Sequence, residues 1–327
     1  GKATYLSLEQ HVKDARASFA AEPPMLHGCT PSTIAVAGAV DLCTRFSKCK
    51  PRKVCGPLGE PPDLYSVAAA SELSRLFAPI AAHATASGDI PLQWRGSDTA
   101  TIPKDPLKAA NSMSNRRDIA LADVVPKSIG AALRPRTVGL VQSVIAPTQH
   151  GSSFGMRSCP GAHLLMRAHF SAAEEMGLSC AVLFVDAINA FATPWARCAV
   201  RLPESDEHCA AALMALGLEQ AEIVDLLSEA RRIAEWGSAP DHLVSVISSF
   251  QRHSWTARNF DSGVLRPAVG VQAAVPMADV IAWMALSVIS RRIRPALLAA
   301  GLSAPLDLAA GILAFGDSLD MPQQPFA

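Results

Sequence analysis

Apolar positions along the chain cluster in two ways. Two short unbroken runs each end in aspartate: Cys180-Ala181-Val182-Leu183-Phe184-Val185-Asp186 and Gly311-Ile312-Leu313-Ala314-Phe315-Gly316-Asp317. Such runs read as buried β-strands. Other segments carry a helical period; within 161–176, apolar residues recur at Ala162, Leu165, Met166, Ala168 and Ala172. The same reading predicts helices over 65–86 (ending near Gly88), 187–200, 206–216, 219–236 and 277–299. It predicts extended chain over 94–102, a short strand followed by a helix within 119–138, and a strand pair over 242–250 and 254–269. Residues 1–92 read as mostly helical and rich in loops, with breaks at Glu22-Pro23-Pro24 and between Gly56 and Pro62. Strands scattered among helices, with few regular βαβ units, predict an α+β fold.

An acid closing an apolar strand is costly, because a carboxylate resists desolvation. Aspartate also starts turns and caps helices, so either residue alone has an ordinary explanation. If the two strands are neighbours, the carboxylates of Asp186 and Asp317 converge and can hold divalent metal for phosphoryl or nucleotidyl transfer.

The bulk composition narrows the class. A chain of 327 residues, half of them apolar, can build a large core. No uninterrupted apolar run reaches the roughly 18 residues of a membrane span. The start, Gly1-Lys2-Ala3-Thr4-Tyr5, is no secretory leader and is not Met, which points to an intracellular protein and to a piece of a longer chain. Eight cysteines are too few for a disulfide scaffold, so free thiols are expected. His27, Cys29, Cys43, Cys49 and Cys55 lack the tight pairs of common zinc sites.

The formal net charge is zero, but its distribution is uneven. Residues 101–167 carry nine Lys/Arg against three acids, whereas 168–240 carry eleven acids against four Arg. A second basic cluster comprises Arg45, Lys48, Lys50, Arg52 and Lys53. One segment can hold phosphates and another metal; each cluster also fits a solvated helix face.

Read in order, segments between 94 and 322 resemble the polymerase region of reverse transcriptases, closest in kind to the LINE-type (non-LTR) retrotransposon enzyme. Ile102-Pro103-Lys104 is similar to the family's "hPK" element. Arg116-Arg117-Asp118-Ile119-Ala120-Leu121 is similar to "R-P-I-S-L", and Ala122-Asp123-Val124-Val125-Pro126-Lys127 continues to a lysine. Gln149-His150-Gly151 matches "Q-x-G". Phe184 to Phe191 resembles "h-D-x-x-x-A-F-D", Phe315-Gly316-Asp317-Ser318 resembles "[Y/F]-x-D-D", and the stretch from Gly270 to Asp279 resembles "G-x-R-Q-G-x-P-L-S-P". Three positions depart from the family pattern: Ala192, Ala274 and Ser318.

The resemblance implies fingers over 93–170 and a palm over 171–327, an antiparallel sheet with packed helices, the thumb missing after the second catalytic strand. Residues 1–92 lead into the fingers. It implies that Asp186 and Asp317 bind two Mg²⁺ ions and act in catalysis. Lys104 and Arg117 would hold the triphosphate or template phosphates, with Lys127 as a further cation, since Arg offers a planar fork of donors and Lys a point charge. Phe191 would exclude a ribose 2′-hydroxyl, and Gly270 would belong to the substrate-facing loop. The implied partners are an RNA template, a DNA primer and deoxynucleoside triphosphates.

Two other readings stay open. The same fold could bind nucleic acid without turnover. Alternatively, Gly316-Asp317-Ser318-Leu319 spells the GDSL esterase signature with Ser318 as nucleophile. There the triad order is wrong, because no His follows Ser318. Gly151-Ser152-Ser153-Phe154-Gly155 fits G-x-S-x-G, but no apolar strand precedes it, as a nucleophile elbow requires.

Overall fold

The computed structural model describes residues 3–21, 29–66, 69–105, 107, 115–145, 159–177, 179, 206–215, 217–233, 236–258, 263–267 and 277–300. The chain divides into two compact units. One comprises Gly1–Val141 and Ile188–Ala285, the other Gln142–Ala187 and Leu286–Ala327.

The first unit is built on an open mixed sheet of five strands: β1 (Ala3–Ser7), β2 (Gly96–Pro103), β3 (Arg116–Leu121), β4 (Trp255–Arg258) and β5 (Gly263–Pro267), ordered β1-β5-β4-β2-β3. All neighbours are antiparallel except β2 and β4, whose parallel register starts at Gly96↔Trp255. Helices and sheet together make a mixed α/β architecture compatible with the expected α+β class.

The helices are α1 (Leu8–Ala21), α2 (Ala39–Phe46), α3 (Ala70–Ser87), α4 (Val124–Val141), α5 (Cys159–Glu175), α6 (Asp206–Met214), α7 (Gln220–Ile233), α8 (Asp241–Gln251) and α9 (Ala278–Ala299). Their ends follow local chemistry. The Gly38 amide donates to Asp41 Oδ2 at 3.0 Å, satisfying a donor at the start of α2. Gly88 ends α3 in the left-handed region at φ 74°, which only glycine enters freely. The predicted helix from 65 therefore ends where expected but begins later, because Pro62–Tyr65 forms a separate 3-10 turn.

Three expectations need correction. Residues 242–250 are not a strand but the interior of α8. Every residue from His242 to Gln251 is buried, yet Leu243, Val246, Ile247 and Phe250 recur at helical spacing, with Ser245, Ser248 and Ser249 buried among them. The Val- and Ile-rich composition of the segment imitated a strand. Residues 1–92 also contribute β1, an edge strand held antiparallel to β5 some 260 positions later. The expected strand over 254–269 is two strands, β4 and β5.

The core of this unit draws apolar residues from α2, α4, α8 and the start of α9. Leu42, Phe46, Ile129, Leu133, Leu243, Val246, Ile247, Phe250, Ile281 and Met284 are fully buried, each side chain contributing about 1.5–3 kcal/mol by leaving water. Phe46 anchors an aromatic trio, its ring centroid 4.8 Å from Tyr65 and 6.3 Å from Phe77. Arg134 Nη2 meets Asp279 Oδ2 at 2.7 Å and ties α4 to α9. Arg136 Nη2 meets Asp41 Oδ1 at 2.6 Å and ties α4 to α2. In the second unit, α5 covers the helix predicted over 161–176.

Candidate functional site

The β2–β3 hairpin carries two of the expected phosphate-binding elements. Its antiparallel register sets Ile102 opposite Arg117 and Pro103 opposite Arg116. Lys104 follows directly at the end of β2 and is exposed. Segments twelve or more positions apart in sequence thus reach the same end of one hairpin, with β3 at the edge of the sheet.

Asn115 closes this end. Its carbonyl accepts from the Lys104 amide at 2.6 Å. Its Oδ1 accepts from the Asp105 amide at 3.0 Å, and its Nδ2 donates to the Asp105 carbonyl at 2.9 Å. Further up, Thr101 Oγ1 donates to Asp118 Oδ1 at 2.7 Å. Lys104 is therefore held by its backbone while its ammonium group stays in water. Nothing local in the sequence marks Asn115 as the residue whose amide bridges to Asp105.

Lys127 lies in the first turn of α4, and the groups that act on it are Asp123 and Cys49. Crowding at its base lowers its pKa by lost hydration, while the Asp123 and Cys49 charges oppose that shift. Asp123 is 2% exposed, just ahead of α4. Its Oδ1 accepts from the Leu58 amide at 3.1 Å, and its Oδ2 has no hydrogen-bond partner. Burial pushes its pKa up to about 6, against the Leu58 hydrogen bond and the Lys127 charge. Gly56 lies so close to Asp123 and to the Ala122 backbone that a Cβ would not fit. The Tyr65 hydroxyl donates to Glu60 Oε2, and burial followed by that bond raises the phenol pKa beyond the ordinary tyrosine range. The sequence offered Asp123 only as a residue inside a motif; its burial depends on a loop some 65 positions away.

A second polar cluster lies inside the same unit. The Arg95 and Arg252 guanidinium carbons lie 4.7 and 4.9 Å from the Phe19 ring centroid, within cation–π range. His253 stands edge-on to Phe19 at 5.1 Å, and His11 stands edge-on to Trp255 at 6.4 Å. Both imidazoles are buried, and their ring nitrogens lack a side-chain or backbone hydrogen bond of good geometry. Burial lowers both pKa values, with Arg266 adding to the effect on each.

Asp186, Phe191, Gly270 and Asp317 lie outside the described residues. The hairpin brings Lys104 and Arg117 together, and Lys127 follows six residues after β3 in α4. Among the described residues, no three His, Cys, Asp or Glu side chains converge as a metal site. No helix among them is long and apolar enough to cross a membrane. No protein-family model matches the chain, and no curated protein matches it significantly.

Proposed function

We propose that this chain is the fingers-and-palm part of an RNA-directed DNA polymerase of the LINE type, which extends a DNA primer on an RNA template. The observation that carries the reading is the hairpin register of Ile102 opposite Arg117, with Lys104 beyond it. A nucleotide triphosphate needs fixed cations, and two motif elements on adjacent strands would supply them at one hairpin end. The collinear order of the motifs from 94 to 322 supports the same reading.

In this account Lys104 and Arg117 bind phosphate oxygens and Lys127 adds positive charge nearby. Phe191 excludes nucleotides with a 2′-hydroxyl, and Gly270 belongs to the substrate-facing loop. Asp186 and Asp317 offer the hard carboxylate oxygens that magnesium prefers. A bound pair of Mg²⁺ ions supplies charge neutralisation for nucleotidyl transfer.

A second reading is favoured by Ala192, Ala274 and Ser318, where the family carries other residues: the fold binds template and primer without turnover. Primer extension with oligo(dT) on poly(rA) separates the two. The polymerase reading expects incorporation by the wild type and none by Asp186→Ala. Equal incorporation by both proteins ends it, and no incorporation by the wild type, with template still bound, selects the second reading.

A further inference from the structure

The cation cluster at 45–53 precedes the polymerase-like segment, and the proposed reaction does not use it. The structure takes most of it off any helix face. α2 ends at Phe46, and the chain then runs through turns to the 3-10 turn Pro62–Tyr65. Lys48, Lys50, Arg52 and Lys53 are exposed along this loop. The Arg134–Asp279 and Arg136–Asp41 ion pairs do not involve the loop.

The loop is anchored at both ends. The Arg52 amide donates to Asp63 Oδ2 at 3.0 Å. The Leu58 amide donates to the buried Asp123, and Gly56 sits flush against the same residue. This fixes the loop on the two residues that precede α4, whose first turn carries Lys127. Cys49 and Lys127 are close enough to influence each other's charge.

The acids next to this loop are already engaged. Asp123 is buried, Glu60 accepts from Tyr65, and Asp63 holds the Arg52 backbone. No Asp or Glu occurs between 42 and 59. Lys48, Lys50, Arg52, Lys53 and Lys127 therefore share one scaffold, where Asp123 is buried and acts on the charge of Lys127, and Asp63 holds the Arg52 amide.

We propose that the 48–53 loop and Lys127 form a binding surface for the sugar–phosphate backbone of nucleic acid. Exposed lysines on an ordered loop suit this partner, because they read charge and not base identity. Identification of the bound strand as template–primer rests on the polymerase reading; the binding itself does not.

The test is fluorescence anisotropy of the full chain with a labelled RNA template annealed to a DNA primer, titrated at several salt concentrations. The variants are the triple Lys48→Gln/Lys50→Gln/Lys53→Gln and a control triple, Lys13→Gln/Arg16→Gln/Arg75→Gln, which removes equal charge from exposed helix positions. The loop triple should bind roughly tenfold more weakly near 0.1 M salt, with the log–log salt slope shallower by about 2 to 3. The control should stay within about twofold of wild type. The single variant Lys53→Gln, at an exposed position, should lower the slope by about 1. Unchanged affinity and slope in the loop variants, or equal losses in both triples, overturn the proposal. Failed primer extension by the wild type together with loop-dependent binding counts against the polymerase reading alone.

Discussion

Arg95 Nη1 donates to the carbonyl of Arg252 at 2.9 Å across 157 positions of sequence. Arg95 Nε also donates to the Ile90 carbonyl at 2.9 Å, and the side chain is 3% exposed. One guanidinium thus pins the turn before β2 to the turn before β4, next to the parallel pair β2–β4. Lysine offers no planar fork and leaves a buried carbonyl unpaired. Arg95→Lys should lower unfolding stability by about 2–3 kcal/mol in urea titration. A change below about 0.5 kcal/mol would show that the pin is dispensable.

His253 makes stability fall in acid. Burial, the charges of Arg266, Arg252 and Arg95, and His11 push its pKa down to about 3. The unfolded chain binds that proton near pH 6.5, so the contribution is complete above that pH and is lost as pH falls toward 3. Between pH 7.5 and 5 the loss from this residue is about 2 kcal/mol. His253 also has φ 55°, a region that asparagine tolerates. His253→Asn should flatten the acid limb of a stability–pH profile, and an unchanged slope would reject this assignment.

Asp123 acts in the opposite direction. Its folded pKa of about 6 lies above the unfolded value near 4. Its contribution is present below pH 4 and lost as pH rises through 6. Asp123→Asn keeps an acceptor for the Leu58 amide and removes the charge. It should be more stable than wild type by about 1 kcal/mol at pH 8, with no gain at pH 4. A gain that is independent of pH would mean that the carboxylate is not the cause.

Gly96 is set by packing. A Cβ there would overlap the Trp255 indole, whose Nε1 donates to the Leu92 carbonyl at 3.0 Å. Gly96→Ala should cost about 1–3 kcal/mol and shift the tryptophan emission. Wild-type stability and emission would show that the parallel β2–β4 pair can spread without cost.

Under the polymerase reading, Phe191→Val should raise incorporation of ribonucleotides relative to deoxynucleotides by tenfold or more, about 1.4 kcal/mol of lost discrimination. Lys104→Ala should raise KM for the nucleotide by about tenfold with a smaller change in kcat. Steady-state primer extension with single nucleotides measures both. An unaltered sugar preference in Phe191→Val removes that residue from the selection step.

Local pattern determined much of this protein. The end of α3 at Gly88, α5, and the strand–helix succession of β3 and α4 follow from turn chemistry and periodicity within short windows. The basic elements around Lys104 and Arg117 were likewise legible as residues. Tertiary structure alone decided what these segments meet. α8 keeps a helical period at Leu243, Val246, Ile247 and Phe250, but only the fold buries its serines as well, and β1 pairs with β5 across some 260 positions. The sheet order, with β2 parallel to β4, depends on pairing between segments more than 150 positions apart. Asp123 became a buried acid because Gly56 and Leu58 cover it. Periodicity reports how each residue divides between core and water within its own segment; which distant surface provides that core is a property of the folded chain.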